Sequence, residues 1–231
     1  MKVNRERVIR EALSLLNEVG LEQLTLRALA KELDIQAATV YWHFKSKQDL
    51  IDEMATLILA EGSHELLPKK ADADWSVWAV SFGVGLRKVL LGHRDGARLV
   101  AGSRLTDTRF MTVTERIAKR LTEAGFTVRQ TVVLMSVIND YTESFVREEQ
   151  AVFPRPGERS PQYDLAARKA QLEGKGLPIL VQSGPILFDR FDRRYREGLD
   201  LIIRGGATAR RSRRDVANRR SAEALSTVSS S

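Results

Sequence analysis

Residues 37–50 read AATVYWHFKSKQDL, so Tyr41, Trp42 and His43 stand in a row with Phe44 behind them and Lys45 and Lys47 following. A phenol OH, an indole NH and an imidazole NH can each donate to a phosphate oxygen, and rigid rings lose little rotamer freedom on being ordered. On a helix, Val40 and Phe44 are four apart and share one face, which leaves Tyr41, Trp42 and His43 pointing the other way. Just upstream lie Gln36, Ala37, Ala38 and Thr39. A glutamine amide can bond a base edge, and the methyls of Ala or Thr suit a thymine methyl. Lys47 adds a cation at the start of the next helix, where backbone N–H groups also favour phosphate. The chemistry offered is recognition of double-stranded DNA. The alternative is a core Trp42 beside an ordinary surface imidazole.

Other constellations offer less. Asp140, Glu143, Glu148 and Glu149 have no Glu-x-x-His among them, as a di-metal bundle site requires, and read as a solvated helix face. His64 to Pro68, HELLP, lacks the second His of a zincin. His93 belongs to a turn. No nucleophile elbow, phosphate loop or dinucleotide fingerprint occurs, so no catalytic residue, metal ligand or cofactor is expected. The absence of Cys excludes disulfides and thiolate metal sites and suits a reducing compartment. The apolar runs are too short for a membrane span, and MKVNRERVIREAL is not a signal segment. A cytoplasmic protein is expected.

The elements that must position these residues are all helical by pattern, and the fold class is all-α. Val8, Ala12, Leu15, Leu16 and Val19 recur at helical spacing up to Gly20. Thr25 caps TLRALAKEL, Asp34 and Ile35 break it, and a short third helix QAATVYWHF follows. The layout of three short helices with a tight turn between the second and third is a helix-turn-helix. Ser46 caps a fourth helix, and Asp74 a longer one carrying Trp75, Trp78, Phe82 and Leu86. Two long amphipathic stretches lie near 107–124 and 127–150. A Pro-rich loop at 151–163, a helix near 163–174 and a last helix near 185–204 complete the pattern. The boundaries expected are a DNA-binding domain at 1–47, a linking helix at 47–63, a larger domain at 64–205 and a tail at 206–231. Net charge is +7, and residues 204–220 hold seven Arg against one Asp, so nearly all of the excess sits there. Its composition predicts disorder, as either a solubilising end or a loose contact with phosphate.

LTLRALAKELDIQAATVYWHFKSKQDLID resembles the DNA-binding domain of TetR-family transcriptional repressors. ALSLLNEVGLEQLTLRALA, YWHFKSK, LLGHRDGARLVAGSR and RLTEAGFT resemble the tetracycline-repressor branch in particular, as does GLDLIIRG near the end. The resemblance implies a homodimer joined through the helices near 127–150 and 185–204, a palindromic operator and release by a small-molecule effector. It implies DNA contacts from Arg27, Gln36, Thr39, Tyr41, Trp42, His43 and Lys47, with Arg27 reading guanine. Ala37 and Ala38 depart from the branch, which carries Gln then Pro there, so a different operator is expected.

The effector site departs further. The branch binds a magnesium–drug chelate through a histidine that aligns with Val100, and Val ligates no metal. Phe82 and Leu86 replace a drug-contacting Asn and Phe, whereas Ser103, Arg104 and Glu148 are retained in type. The expectation is an apolar pocket without magnesium, lined by Phe82, Leu86, Val100, Ser103, Arg104, Val113, Ile117, Val132, Met135, Asn139 and Glu148, each apolar member of which could instead be plain core. A repressor controlling an exporter or biosynthetic gene, in an antibiotic-response setting, is the function implied. The alternative is a ligand-independent activator or architectural DNA binder.

Overall fold

The computed structural model describes residues 4–228, with side chains through Arg211. Residues 1–3 and 229–231, and with them the last residues of the expected tail, lie outside the described residues. Helices α1 (Arg5–Val19), α2 (Leu26–Glu32) and α3 (Ala37–His43) come first. Asn4 and Thr25 cap the first two by accepting from the backbone N–H of Arg7 and Ala28. The turn after α2 closes with Asp34 at φ 52 and the Ile35 N–H donating to the Ala30 carbonyl over 3.0 Å. A short polar side chain tolerates that left-handed position better than a branched one would.

Helix α4 (Lys47–Gly62) starts at Ser46, whose hydroxyl accepts from Asp49 N–H at 3.0 Å. Leu50, Met54, Ile58 and Leu59 on α4 are buried with Leu16, Leu29, Val40 and Phe44, so one core joins all four helices. A 3₁₀ turn at Ser63–Leu66 leads to α5 (Trp75–Leu91). The turn lies so close to α5 that a Cβ on Gly85 would collide with the Glu65 carbonyl, so only glycine fits there.

Helix α6 (Gly96–Val100) is short, and α7 (Arg109–Glu123) and α8 (Val128–Val152) are long. Thr127 and Gln130 form a reciprocal capping box at the start of α8. Helix α5 packs on α7 and α8 and runs parallel to α8: Trp75 meets Phe126 at one end, and Arg87 meets Glu149 toward the other. Arg87 is a half-buried strut, donating to Glu149 at 2.7 Å and to Asp192 at 2.6 Å.

Past the proline-rich loop, which holds a 3₁₀ turn at Pro161–Tyr163, come α9 (Leu165–Glu173), α10 (Pro178–Phe188) and α11 (Phe191–Val228). The periodic stretch expected near 185–204 is therefore two helices. Pro178 starts α10, its end falls at Phe188, and the break at 189–190 lets Phe191 and Tyr195 turn into the core. Tyr195 is fully buried, shares a 2.7 Å hydrogen bond with the Thr142 hydroxyl, and has its phenol pushed up to about 12 by burial. Into the stretch expected as a tail, the α11 backbone is helical to Val228. Ala and Arg are good helix formers, and lengthening an existing helix avoids the cost of a new nucleus.

Candidate nucleic-acid interface and effector domain

At the tip of α3 Tyr41 and Trp42 divide from Val40 and Phe44 as the spacing predicts, whereas His43 is half-buried. Val40 and Phe44 are fully buried, whereas Trp42 is 81% exposed and Tyr41 is 48% exposed. The Trp42 and His43 rings meet edge to face at 4.7 Å, which holds the indole in a defined direction. The guanidinium of Arg5 stacks over Phe44 at 4.4 Å and donates to the His43 carbonyl, so the N-terminus of α1 steadies the end of α3. Gln36, Ala38, Thr39 and Arg27 are exposed, and Ala37 is half-buried. One expected contact is partly committed elsewhere: Lys47 Nζ donates to the Leu21 carbonyl at 2.7 Å and so ties α4 to the α1–α2 connection. Spacing along one helix could not reveal that partner, since it lies 26 residues away.

A second set of residues joins the front four helices to the larger domain. Asp95, at φ 55, accepts the backbone N–H of Leu21 at 2.9 Å. Arg94 N–H donates to Asn17 at 2.9 Å, and its guanidinium donates to the Glu18 carbonyl at 2.5 Å. Arg98 pairs with Glu22 at 3.1 Å. Helix α6 is thus clasped onto the α1–α2 connection as well as packed on α4. The clasp joins residues 74 to 77 positions apart, so no local spacing could show it.

On the far side of α6 the chain is fastened to α4. Asp52, 3% exposed, accepts Gln48 Nε2 at 2.8 Å and the Arg104 N–H at 3.2 Å. Burial opposes its charge, yet these hydrogen bonds hold the carboxyl below the usual carboxylate range. The Thr56 hydroxyl accepts Thr106 N–H at 3.0 Å. Any shift of the segment after α6 therefore pulls on α4. Behind α6, Gln150 of α8 donates to the carbonyls of Leu90 and His93. Burial lowers the His93 imidazole below its ordinary value, against an opposing effect of Glu61, and its Nδ1 has no hydrogen-bond partner among the described residues.

Of the residues expected to line an effector pocket, the apolar ones on α5, α6 and α7 and Met135 of α8 meet in the core, and others do not. Phe82, Leu86 and Ile117 are buried core residues, 3%, 1% and 0% exposed. Val100, Val113 and Met135 pack half-buried against them. Ser103 bonds the Leu99 carbonyl, and Asn139 bonds Glu143. Arg104 projects outward, with its Nε 3.4 Å from Asp52. Glu148 is held by Arg194 at 2.9 Å. Like Arg104, Val132 lies outside that core: it is 56% exposed and stands with Val128, Val133 and Val137 on the outer face of α8. Thr131 and Leu134 take the inward positions, so the helical turn carries Val132 out of the expected lining.

Comparison with known proteins agrees with this geometry. Residues 8–54 match the model described as bacterial regulatory proteins, tetR family, and residues 67–209 match the tetracyclin repressor-like C-terminal domain. The chain is 35% identical over 215 residues to the class A tetracycline repressor of transposon 1721 from Escherichia coli, covering 93% of this chain and 95% of that protein. It is 34% identical to the class C tetracycline repressor from the same organism, with the same coverage. A possible TetR-family regulator from Streptomyces coelicolor A3(2) superposes with a TM-score of 0.79 at 32% identity, covering 90% of this chain and all of that one. TetR from Acinetobacter baumannii AYE, a variant of which has been solved with minocycline, superposes at 0.68 and 32% identity, covering 90% and 99%. Helix-turn-helix, clasped α6 and helical second domain together make the chain a member of the TetR family of transcriptional regulators, with a tetracycline-repressor-like C-terminal domain.

Proposed function

We propose that this regulator is a repressor that leaves its DNA when a small apolar effector enters the larger domain. The observation that carries the reading is the double fastening of α6, to the α1–α2 connection through Asp95 and Arg94 and, just after it, to α4 through Asp52 and Thr56. An effector lodged between α5, α6, α7 and α8 moves α6, and both fastenings carry the motion to the recognition helix α3. A duplex cannot stretch to follow, so affinity falls. A hundredfold loss needs about 2.7 kcal/mol of coupling, provided the effector prefers the DNA-incompetent arrangement.

The working form is a homodimer. Val128, Val132, Val133 and Val137 of α8 and Leu201 of α11 are exposed apolar side chains on helices that continue the core, and a second copy is the partner that covers them. Two recognition helices related by a two-fold axis read a palindrome whose half-sites lie about 34–36 Å apart. Arg27, Gln36, Ala37, Thr39, Tyr41, Trp42 and His43 make the contacts, with Lys47 contributing through the start of α4. Val100 offers no metal-ligating atom, so the effector binds without magnesium and is not a tetracycline chelate. An exporter or biosynthetic gene is the controlled target, and the protein acts in the cytoplasm.

A gel shift with the DNA upstream of the protein's own gene tests this. The expected result is a salt-sensitive shift at a palindrome, reversed by an apolar natural product in magnesium-free buffer. No shift at any upstream palindrome overturns the reading. A shift that no compound of a hydrophobic panel reverses favours the ligand-independent binder. Tetracycline-dependent release that requires Mg²⁺ would show that the reading of Val100 is wrong.

A further inference from the structure

We infer that the Arg-rich segment beyond Arg210 is a second site for duplex DNA, at the pole of the molecule opposite the recognition helix. The polarity of α11 carries the argument. At the C-terminal end of α8, Gln150 holds the Leu90 and His93 carbonyls, and Arg155 just beyond reaches the Glu18 carbonyl at the end of α1. At its N-terminal end, Gln130 donates to the Ala209 carbonyl at 3.0 Å, and Arg210 donates to the Ala124 carbonyl at 2.9 Å. Helix α11 therefore runs antiparallel to α8 and leaves the domain at the end remote from α1–α4. Residues 130 and 150 are twenty helical positions apart, about 30 Å. The backbone stays helical to Val228 and so carries the chain onward in that direction. An operator gripped by the tips of α3 lies out of reach.

Charge is concentrated at that pole. Residues 204–220 carry six of the seven net positive charges, which leaves the rest of the chain nearly neutral. Two of the seven arginines belong to the body of the domain: Arg204 pairs with Asp200 at 2.8 Å, and Arg210 stacks over Trp75 at 5.3 Å and Phe126 at 5.6 Å. The sequence then adds Arg211, Arg213, Arg214, Arg219 and Arg220 against Asp215 and Glu223. Clustered guanidinium groups gain most from phosphates, where counterion release drives binding without sequence choice. A helix about 10–12 Å across also fits a major groove of about 12 Å. The choice of DNA rests on the proposed function, which places the other pole on a duplex. A protein charged this way joins two segments of DNA.

The test uses the full chain carrying Arg27→Ala and Trp42→Ala, and the same variant ending at Arg210, titrated by anisotropy with an arbitrary duplex of about 40 base pairs. The full-length variant is expected to bind with a log affinity against log salt slope of about −4, and removal of residues 211–231 to weaken it about tenfold or more. Binding unaltered by the truncation overturns the proposal. So does tighter binding of a single-stranded RNA of the same length, which would assign the segment to RNA. A bead-bound duplex incubated with a second, labelled duplex gives an independent readout: the wild-type chain should retain the label and the wild-type chain ending at Arg210 should not. If that truncated chain still shifts its upstream DNA while the full chain retains no label, the second site fails and the repressor reading stands.

Discussion

Trp42 is 81% exposed at the tip of α3 with its ring edge-on to His43, which is a poor arrangement for stability and a good one for grasping a backbone. Trp42→Ala is expected to change the unfolding free energy by no more than about 0.5 kcal/mol, as at other exposed positions. It should nonetheless abolish or severely weaken the shift of upstream DNA, and thermal unfolding beside a DNA titration checks both. His93 gives a prediction in pH. Its folded-state value is lowered by burial, so folded and unfolded chains are equally neutral well above about 6.5, and the unfolded chain takes up the proton first as pH falls. Stability therefore drops below that value, and His93→Gln should flatten this acid-side slope in urea melts from pH 7 to 5. A variant as acid-sensitive as the parent would show that His93 is not a source of the slope. The outward direction of Tyr41, Trp42 and Thr39 was legible because Val40 and Phe44 mark the buried face beside them. The Lys47 tie to Leu21 was not, because long-range partners leave no trace in local spacing.

Helix α6 is only five residues long, too short to be stable alone, and exists because both neighbours hold it. Asp95 is central to that hold: it keeps a left-handed backbone, accepts Leu21 N–H and braces Arg98. Asp95→Gly preserves the backbone freedom and removes the carboxylate. The expected loss is about 1 kcal/mol, because the Leu21 donor left unpaired is half-buried. Unfolding should also become less cooperative, with α1–α4 melting ahead of the larger domain. Coincident transitions by tryptophan fluorescence and far-UV dichroism would argue that the clasp does not couple the two parts. The helix caps at Thr25, Ser46 and Asp74 could be read from the chain, since capping is decided within four residues. The division of the last periodic stretch into α10 and α11 could not. Pro185 is tolerated inside α10, and the break comes later, where Phe191 and Tyr195 turn inward to meet Phe145.

For the whole molecule, the exposed valines of α8 form the face through which the proposed dimer joins. Val133→Glu puts a charge in the middle of that face without touching the intrachain core, since Val133 is 54% exposed. Gel filtration with light scattering should find the variant monomeric, still helical and weak on a palindrome, because two half-sites then bind independently. A dimer that survives the substitution would place the interface elsewhere.

The chain by itself determined the helical class, the position of the helix-turn-helix and the outward direction of Tyr41 and Trp42. Each of these depends on periodicity and capping between residues a few positions apart. Only the tertiary structure decided that α6 is clasped to Leu21 and Asn17, that Val132 faces out while Thr131 and Leu134 face in, and that the basic end of α11 points away from the recognition helix. Those outcomes depend on how helices far apart in sequence pack and in which direction each one runs, and a local pattern of side chains contains neither.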